Sequence, residues 1–126
     1  MAVIYPDIEA TLVAHLKTAL GSGVNVATKK VAPGLTQPAQ QVVITANYVG
    51  DKEQMLKYAG LVVDIYADGD IAATNLALLT EAHLRTAVVG AIKKVEILSG
   101  PTRQGDDADQ EKRSISAEVV VKATSL

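Results

Sequence analysis

The stretch YAGLVVDIYADGDIAATNLALL, residues 58–79, contains the change of hydrophobic period that decides the fold. In its first half, apolar side chains alternate with other residues, which is typical of a β-strand with one buried face. In its second half, apolar residues recur every three or four positions, which is typical of an amphipathic helix. We expect Asp68 or Asp70 to cap this helix where the period changes. A strand that leads directly into a helix predicts a sheet covered by helices.

The same signals extend outward from this stretch in both directions. A helix is predicted over residues 6–21, opened by Pro6 and Asp7 and ended by Gly21. Four further strands are predicted from residue 24, over residues 41–49 and 94–99, and over residues 113–123. The order αβββαββ predicts a single α+β domain over residues 1–126, with a mainly antiparallel sheet packed by two helices.

The predicted buried positions share one face of each element. They are Ile8, Leu12, Leu16, Ala19 and Leu20 in the first helix; Leu61, Val63 and Ile65 in the third strand; Ala73, Leu76, Ala77, Leu84, Ala87 and Val88 in the second helix; and Ile115, Ala117, Val119, Val121 and Ala123 in the last strand. We expect Asp64 and Tyr66 on the opposite, solvated face of the third strand.

Composition excludes several classes of function. The chain has 126 residues and no cysteine, which excludes disulfides, thiolate zinc sites and thiol catalysis. A formal net charge of -2 gives no argument for a nucleic-acid or membrane surface. The first residues lack the basic flank of a secretory signal, and no apolar run approaches the roughly 20 residues that span a bilayer. We therefore expect a soluble protein made inside the cell.

No constellation in the sequence predicts catalysis, a cofactor or a metal. His15 and His83 each lie in the middle of a helix without a second ligand at helical spacing, so we expect solvated or rim histidines. The glycines of residues 21–23 follow a helix, whereas a phosphate-binding loop precedes one. Residues 64–72 lack the alternating oxygen ligands of a calcium loop, and the acids of residues 106–109 are expected to be solvated. The chain is therefore not expected to be an enzyme.

The whole layout resembles the tail terminator proteins of long, non-contractile-tailed bacteriophages. The resemblance is carried by Pro6-Asp7-x-Glu9 at the first helix and by the strand Val63-Asp64-Ile65-Tyr66-Ala67, which runs into an Ala/Leu-rich helix. Gly100-Pro101 then precedes a charged segment and the final strand. The resemblance covers nearly all of the chain and rests on the order of elements and a few short strings.

The resemblance implies a structural virion protein without enzymatic activity. Such proteins form a ring, usually of six copies, on the head-proximal end of the tail tube after assembly in the host cytoplasm. The ring stops addition of the major tail tube protein and offers a surface to the connector and neck proteins of the head. DNA passes through its lumen without sequence-specific binding, and no membrane is involved.

Three charged segments are the predicted contact sites, namely residues 29–40, 50–57 and 100–113. Charged, mobile loops disfavour wrong partners through like-charge mismatch, and they order on binding the right one. The predicted partner or lumen residues are Lys29, Lys30, Asp51, Lys52, Glu53, Arg103, Asp106, Asp107, Asp109, Glu111, Lys112 and Arg113. The competing interpretation of residues 100–113 is an exposed hairpin connection that tolerates length.

Two other functions remain open on the sequence alone. One is a head-completion or connector protein of the same assembly, which would bind on the portal side. The other is a free-standing α+β ligand-binding domain, although no pattern in the sequence indicates an apolar pocket with convergent polar groups.

Overall fold

The computed structural model describes residues 3–53, 55–104 and 110–125. Within these residues the chain forms two helices and seven strands. They are β1 (Val3–Ile4), α1 (Ile8–Leu20), β2 (Asn25–Ala27), β3 (Gln40–Glu53), β4 (Leu56–Ala67), α2 (Asp70–Arg85), β5 (Ile92–Arg103), β6 (Glu111–Lys122) and β7 (Thr124–Ser125). Neither helix of the described part is long and apolar enough to cross a membrane.

Five strands form one mixed sheet in the order β2-β3-β4-β6-β5. Only β2 pairs in parallel, with β3, and the other pairings are antiparallel. Strand β4 of the first hairpin lies next to β6 of the second, so β4 and β6 both occupy interior positions. This arrangement confirms the α+β prediction. The two-residue strands β1 and β7, which pair with each other, were not predicted.

Both helices pack on one face of the sheet and also contact each other. Helix α1 lies against β2 and β3, and α2 lies against β4, β5 and β6. The predicted apolar rows of β4 and β6 face these helices and are buried. Because side chains of a strand alternate between faces, the sequence pattern alone was enough to predict these rows.

The buried stripe of α2 differs from the prediction at two positions. Thr80 is fully buried, and its hydroxyl donates to the carbonyl of Leu76 at 2.7 Å, which satisfies it within the helix. Val88 was predicted to be buried but is 55% exposed, since α2 ends at Arg85.

The end signals predicted for α1 are confirmed, whereas the cap predicted for α2 is wrong. Asp7 Oδ1 accepts the N–H of Ala10 at 3.0 Å, and Gly21 ends α1 with φ +84°. At the start of α2, the N-cap is Gly69, with no side-chain hydrogen bond. Asp70 lies one residue later, and its carboxylate is engaged by arginines of the β5–β6 hairpin.

Both charged turns are shorter than predicted. Strand β3 continues to Glu53, and β4 starts at Leu56, so most of residues 50–57 belongs to the ladder. Strand β5 continues to Arg103, and β6 starts at Glu111. Backbone hydrogen bonds extend a hairpin regardless of side-chain polarity, which explains why a polar stretch was misread as a loop. Asp106, Asp107 and Asp109 lie outside the described residues.

Tyr66 lies on the predicted face of β4 but is buried there. The Nζ atoms of Lys30 and Lys112 lie 5.1 and 5.5 Å from the centroid of its ring. Asp64, on the same face, is partly buried and accepts the hydroxyl of Ser114 at 3.0 Å. The loop before β3 therefore covers one end of the sheet face that we expected to be exposed to solvent.

Candidate partner-binding ends

The predicted contact segments lie at two opposite ends of the sheet. Residues 29–40 meet the β5–β6 hairpin at one end, where the side-chain amide of Gln110 donates to Pro38 O at 2.7 Å. We call this the loop end. The β3–β4 turn lies at the other end, where Met55 O accepts the N–H of Ala123 at 2.8 Å. We call this the terminal end, since β1 and β7 pair near it. Strand β4 runs between them, and its 12 residues span about 40 Å.

The loop end brings together most of the predicted contact residues that the structure describes. Lys29, Lys30, Arg103, Glu111, Lys112 and Arg113 all belong to it, next to Asp68 and Asp70. Asp51, Lys52 and Glu53 belong instead to the terminal end of β3, where Asp51 pairs with Lys57 across the ladder. The predicted residues therefore form two separate surfaces.

A cluster of ion pairs connects the β5–β6 hairpin to the first turn of α2. Asp70 Oδ1 accepts from Arg103 Nη2 and from Arg113 Nη2. Arg113 Nη1 lies 3.6 Å from Glu111 Oε2. The Arg113 side chain is only 6% exposed, whereas that of Arg103 is 63% exposed. Arg113 therefore has a structural role inside the domain, whereas most of the Arg103 side chain lies in solvent.

A buried glutamine network holds the loop before β3 in place. Gln41 is fully buried and donates to Gln37 Oε1 at 2.9 Å and to Gln110 Oε1 at 3.0 Å. The same Gln37 oxygen accepts from Lys30 Nζ at 2.8 Å. Sequence reasoning missed this network. Its only sequence signal is the polar pair Gln40 and Gln41 at the start of an apolar strand.

An aromatic cluster lies between α1 and the terminal end. The rings of Tyr5 and Tyr48 lie 5.6 Å apart, and Lys57 Nζ lies 4.5 and 5.5 Å from their centroids. The Tyr48 hydroxyl donates to Pro6 O at 2.6 Å. Burial, followed by the negative charge of Asp7, raises the pKa of Tyr48. A recess of about 100 Å³ next to it is too small for more than a few waters.

The two histidines join the helices. His15 Nε2 lies 3.2 Å from His83 O, and both residues are partly buried.

Among the described residues, no group of three His, Cys, Asp or Glu side chains is placed to hold a metal ion. Every buried side-chain nitrogen or oxygen of the described part has a hydrogen-bond partner. The clusters of polar side chains found in the described part therefore stabilise the fold internally.

Comparisons with known proteins give a structural likeness only. No family model matches the chain, and no curated protein sequence matches it significantly. Among solved structures, it is similar to a chain from the virion of a native gene transfer agent (GTA) particle, with a TM-score of 0.66 and 15% sequence identity. The match covers 91% of this chain and 94% of that chain. At this identity the likeness assigns the fold, and it does so over nearly the whole length of both chains.

Proposed function

We propose that this chain is a structural protein of a phage-like virion that caps the head-proximal end of a tail tube. In this function several copies, six in the simplest case, form a ring. The ring stops further addition of tube subunits and binds the neck proteins of the head. DNA passes through the lumen, and the chain carries no catalytic activity.

The separation of the predicted contact segments into two opposite ends of the sheet supports this proposal. A cap must bind the tube on one side and a different partner on the other, and it must not stack on itself without limit. The loop end and the terminal end lie about 40 Å apart along β4, and each carries charged residues from a different part of the chain. The fold shared with a GTA virion chain supports a role inside a virion, since it covers nearly all of both chains.

The test is a tube-capping assay with the tail tube protein of the cognate particle. Tubes are assembled with and without this chain and imaged by negative stain. We expect shorter tubes with added density at one end only. Unchanged lengths with no end density, at saturating concentrations of this chain, would contradict the proposal.

Two matched triple variants test whether the charged segments are contact sites. One replaces Asp51, Lys52 and Glu53 with Ser at the terminal end, and the other replaces Asp106, Asp107 and Asp109 with Ser in the charged segment. We expect the Asp106, Asp107 and Asp109 variant to reduce head–tail joining and the Asp51, Lys52 and Glu53 variant to reduce tube capping, while both unfold in urea like wild type. If both variants keep both activities, neither charged segment is a contact.

A head-completion or connector protein is the second candidate, because the GTA likeness does not distinguish among virion components. A connector would bind the portal side and leave tube length unchanged, so the same assay separates the two. A free-standing ligand-binding domain has less support, since the recess of about 780 Å³ beside the start of α2 is open to solvent rather than enclosed.

A further inference from the structure

The outer edge of β3 has no partner strand along most of its length. Strand β3 spans Gln40–Glu53, and β4 pairs with it along one side, but β2 pairs on the other side only with residues 41–43. In the part of the chain that the structure describes, no strand lies against this outer edge from Ile44 onward. An unpaired strand edge is a template on which a further strand forms backbone hydrogen bonds.

The composition of this edge favours strand pairing. Residues 44–49, ITANYV, which we call the open edge, include β-branched and aromatic side chains and no charge, proline or glycine. Thr45, Asn47, Tyr48 and Val49 are exposed, and Val49 is 73% exposed. Six-residue segments of this composition pair readily between chains when their backbone is accessible. The sequence of the open edge itself therefore gives no protection against pairing with a second copy.

The opposite edge of the sheet is protected by its own sequence. Strand β5 forms this edge, and it carries the exposed charges of Lys93, Lys94 and Glu96. Its pairing with β6 is interrupted by register shifts, and it contains Pro101. Exposed charges, bulges and proline are the features by which edge strands avoid pairing with other chains. Residues 44–48 have none of these features, so any protection of the open edge comes from another part of the chain.

Helix α1 supplies this protection through Glu9. Glu9 Oε2 accepts the backbone N–H of Ala46 at 2.8 Å in a partly buried contact. Because this N–H bonds to a group outside the ladder with β4, it points away from the sheet, where an incoming strand would need it. The ionised acceptor makes the contact stronger than a hydrogen bond between neutral groups. The Tyr48 hydroxyl donates to Pro6 O at 2.6 Å, which holds the chain before α1 beside the same edge.

We propose that Glu9 blocks the open edge, and that without its carboxylate the open edges of two copies pair with each other in antiparallel direction. A second copy is the partner because residues 44–49 carry no charge that would repel an identical segment. Two identical edges pair about a two-fold axis, so the product is a closed dimer. The block acts in the free chain and is independent of the proposed capping of tail tubes.

Glu9→Ala tests the block against two matched controls. Glu9→Gln keeps an acceptor oxygen of the same reach, and Asp7→Ala weakens the start of α1 but leaves Glu9 in place. The mass of each variant is measured by light scattering over a wide concentration range, without tail tubes and relative to wild type. We expect Glu9→Ala to associate at several-fold lower concentration than wild type and both controls. Amide exchange in residues 44–49 should slow with rising concentration in Glu9→Ala alone.

Two further variants keep the test decisive if Glu9→Ala does not fold and locate the contact if it does. Glu9→Asp keeps a carboxylate in the first turn of α1, so we expect it to fold. Its side chain is one methylene shorter and should leave the N–H of Ala46 free, so it should associate like Glu9→Ala. Thr45→Lys, added to either variant, places a charge at an exposed position of the open edge and should restore the wild-type mass.

Three results would overturn the proposal. Glu9→Asp, or a folded Glu9→Ala, with the mass of wild type would show that the carboxylate does not block the open edge. Equal association of Asp7→Ala would assign the effect to a general loss of stability. Association that persists after addition of Thr45→Lys would show that the copies meet at another surface. Tube capping is not read in any of these measurements, so a failure of the proposed function would leave their outcome unchanged.

Discussion

Gly100 in β5 occupies a site where a side chain has no room. Its φ is +94°, and a Cβ there would lie 2.3 Å from the carbonyl oxygen of Ser114 and 3.1 Å from the Cα of Ile115. Both atoms belong to the paired strand β6, so neither can move without disturbing the ladder. Close packing against β6 therefore explains why a glycine is needed at position 100, without reference to any partner.

We expect Gly100→Ala to lower the free energy of unfolding by roughly 2–5 kcal/mol, the sum of backbone strain and overpacking. Gly34→Ala is the matched control, because Gly34 has φ +90° with no atom near its Cβ position. It should cost only about 1–2 kcal/mol. Urea unfolding measures both, and equal losses would show that the contact with β6 is unimportant.

Asp70 neutralises an arginine that has almost no access to water. We expect Asp70→Asn to lower the free energy of unfolding by about 1–3 kcal/mol, because Arg113 would keep, among the residues that the structure describes, only the more distant Glu111 as an ionic partner. The exposed pair of Arg85 and Glu81 is the control, and Glu81→Gln should cost less than about 0.5 kcal/mol. The two effects are compared by urea unfolding at low and high salt. Similar losses in the two variants would contradict a structural role for Asp70.

Ionisation of Tyr48 should lower the free energy of unfolding at alkaline pH. Its pKa in the folded state is raised by burial and by Asp7, so the folded state holds the phenolic proton more tightly than the unfolded chain. The resulting stabilisation is complete below about pH 10, the ordinary pKa of tyrosine, and is lost as the pH rises through the folded-state value. We expect the free energy of unfolding to fall less in Tyr48→Phe than in wild type as the pH is raised from about 8 to about 11. Equal losses in urea unfolding would contradict this assignment.

At the scale of the elements, the two helices begin in different ways. Helix α1 begins with a side-chain cap from Asp7, whereas α2 begins at Gly69 and is held by the ion cluster around Asp70. The start of α1 is therefore encoded locally, and the start of α2 depends on strands that are distant in sequence.

We expect Asp7→Ala to lower the free energy of unfolding by about 1 kcal/mol, since the N–H of Ala10 loses its acceptor. Asp7→Asn keeps an acceptor oxygen and should cost clearly less. Urea unfolding followed by circular dichroism measures both. If Asn and Ala have the same effect, the hydrogen bond is not what stabilises the start of α1.

At the scale of the whole molecule, the loop end depends on contacts between distant segments. Gln110 lies 69 residues from Gln41 and joins it at 3.0 Å, and it also reaches Pro38 O and Asp68 Oδ1. Gln41 in turn accepts the N–H of Val31 at 3.3 Å. One side chain from the β5–β6 hairpin thus fixes the position of the loop before β3.

We expect Gln110→Ala to speed amide exchange in residues 31–41 about tenfold, which corresponds to about 1.4 kcal/mol of lost local stability. Gln104→Ala is the control, because the contact of Gln104 with Lys112 uses its backbone N–H. Hydrogen exchange measured by mass spectrometry separates the two variants. Unchanged protection in the Gln110 variant would contradict its role in holding the loop.

The sequence by itself determined the fold class, the start and end of α1 and the buried rows of β4 and β6. Each of these follows from local periodicity or capping, because a period of two or of 3.6 fixes which side chains share a face. The change of period after Ile65 was sufficient to predict a sheet covered by helices.

Only the tertiary structure decided the strand order, the length of the hairpins and the surroundings of the charged residues. Backbone pairing extends β5 as far as Arg103 and makes β6 begin at Glu111, although the polarity of these residues indicated a loop. Burial of Tyr66 and the role of Asp70 required partners from segments far apart in the chain. Such contacts depend on non-local pairing, which local periodicity does not specify. Because of them, charged residues such as Arg113, which the sequence indicated as partner contacts, form ion pairs within the fold.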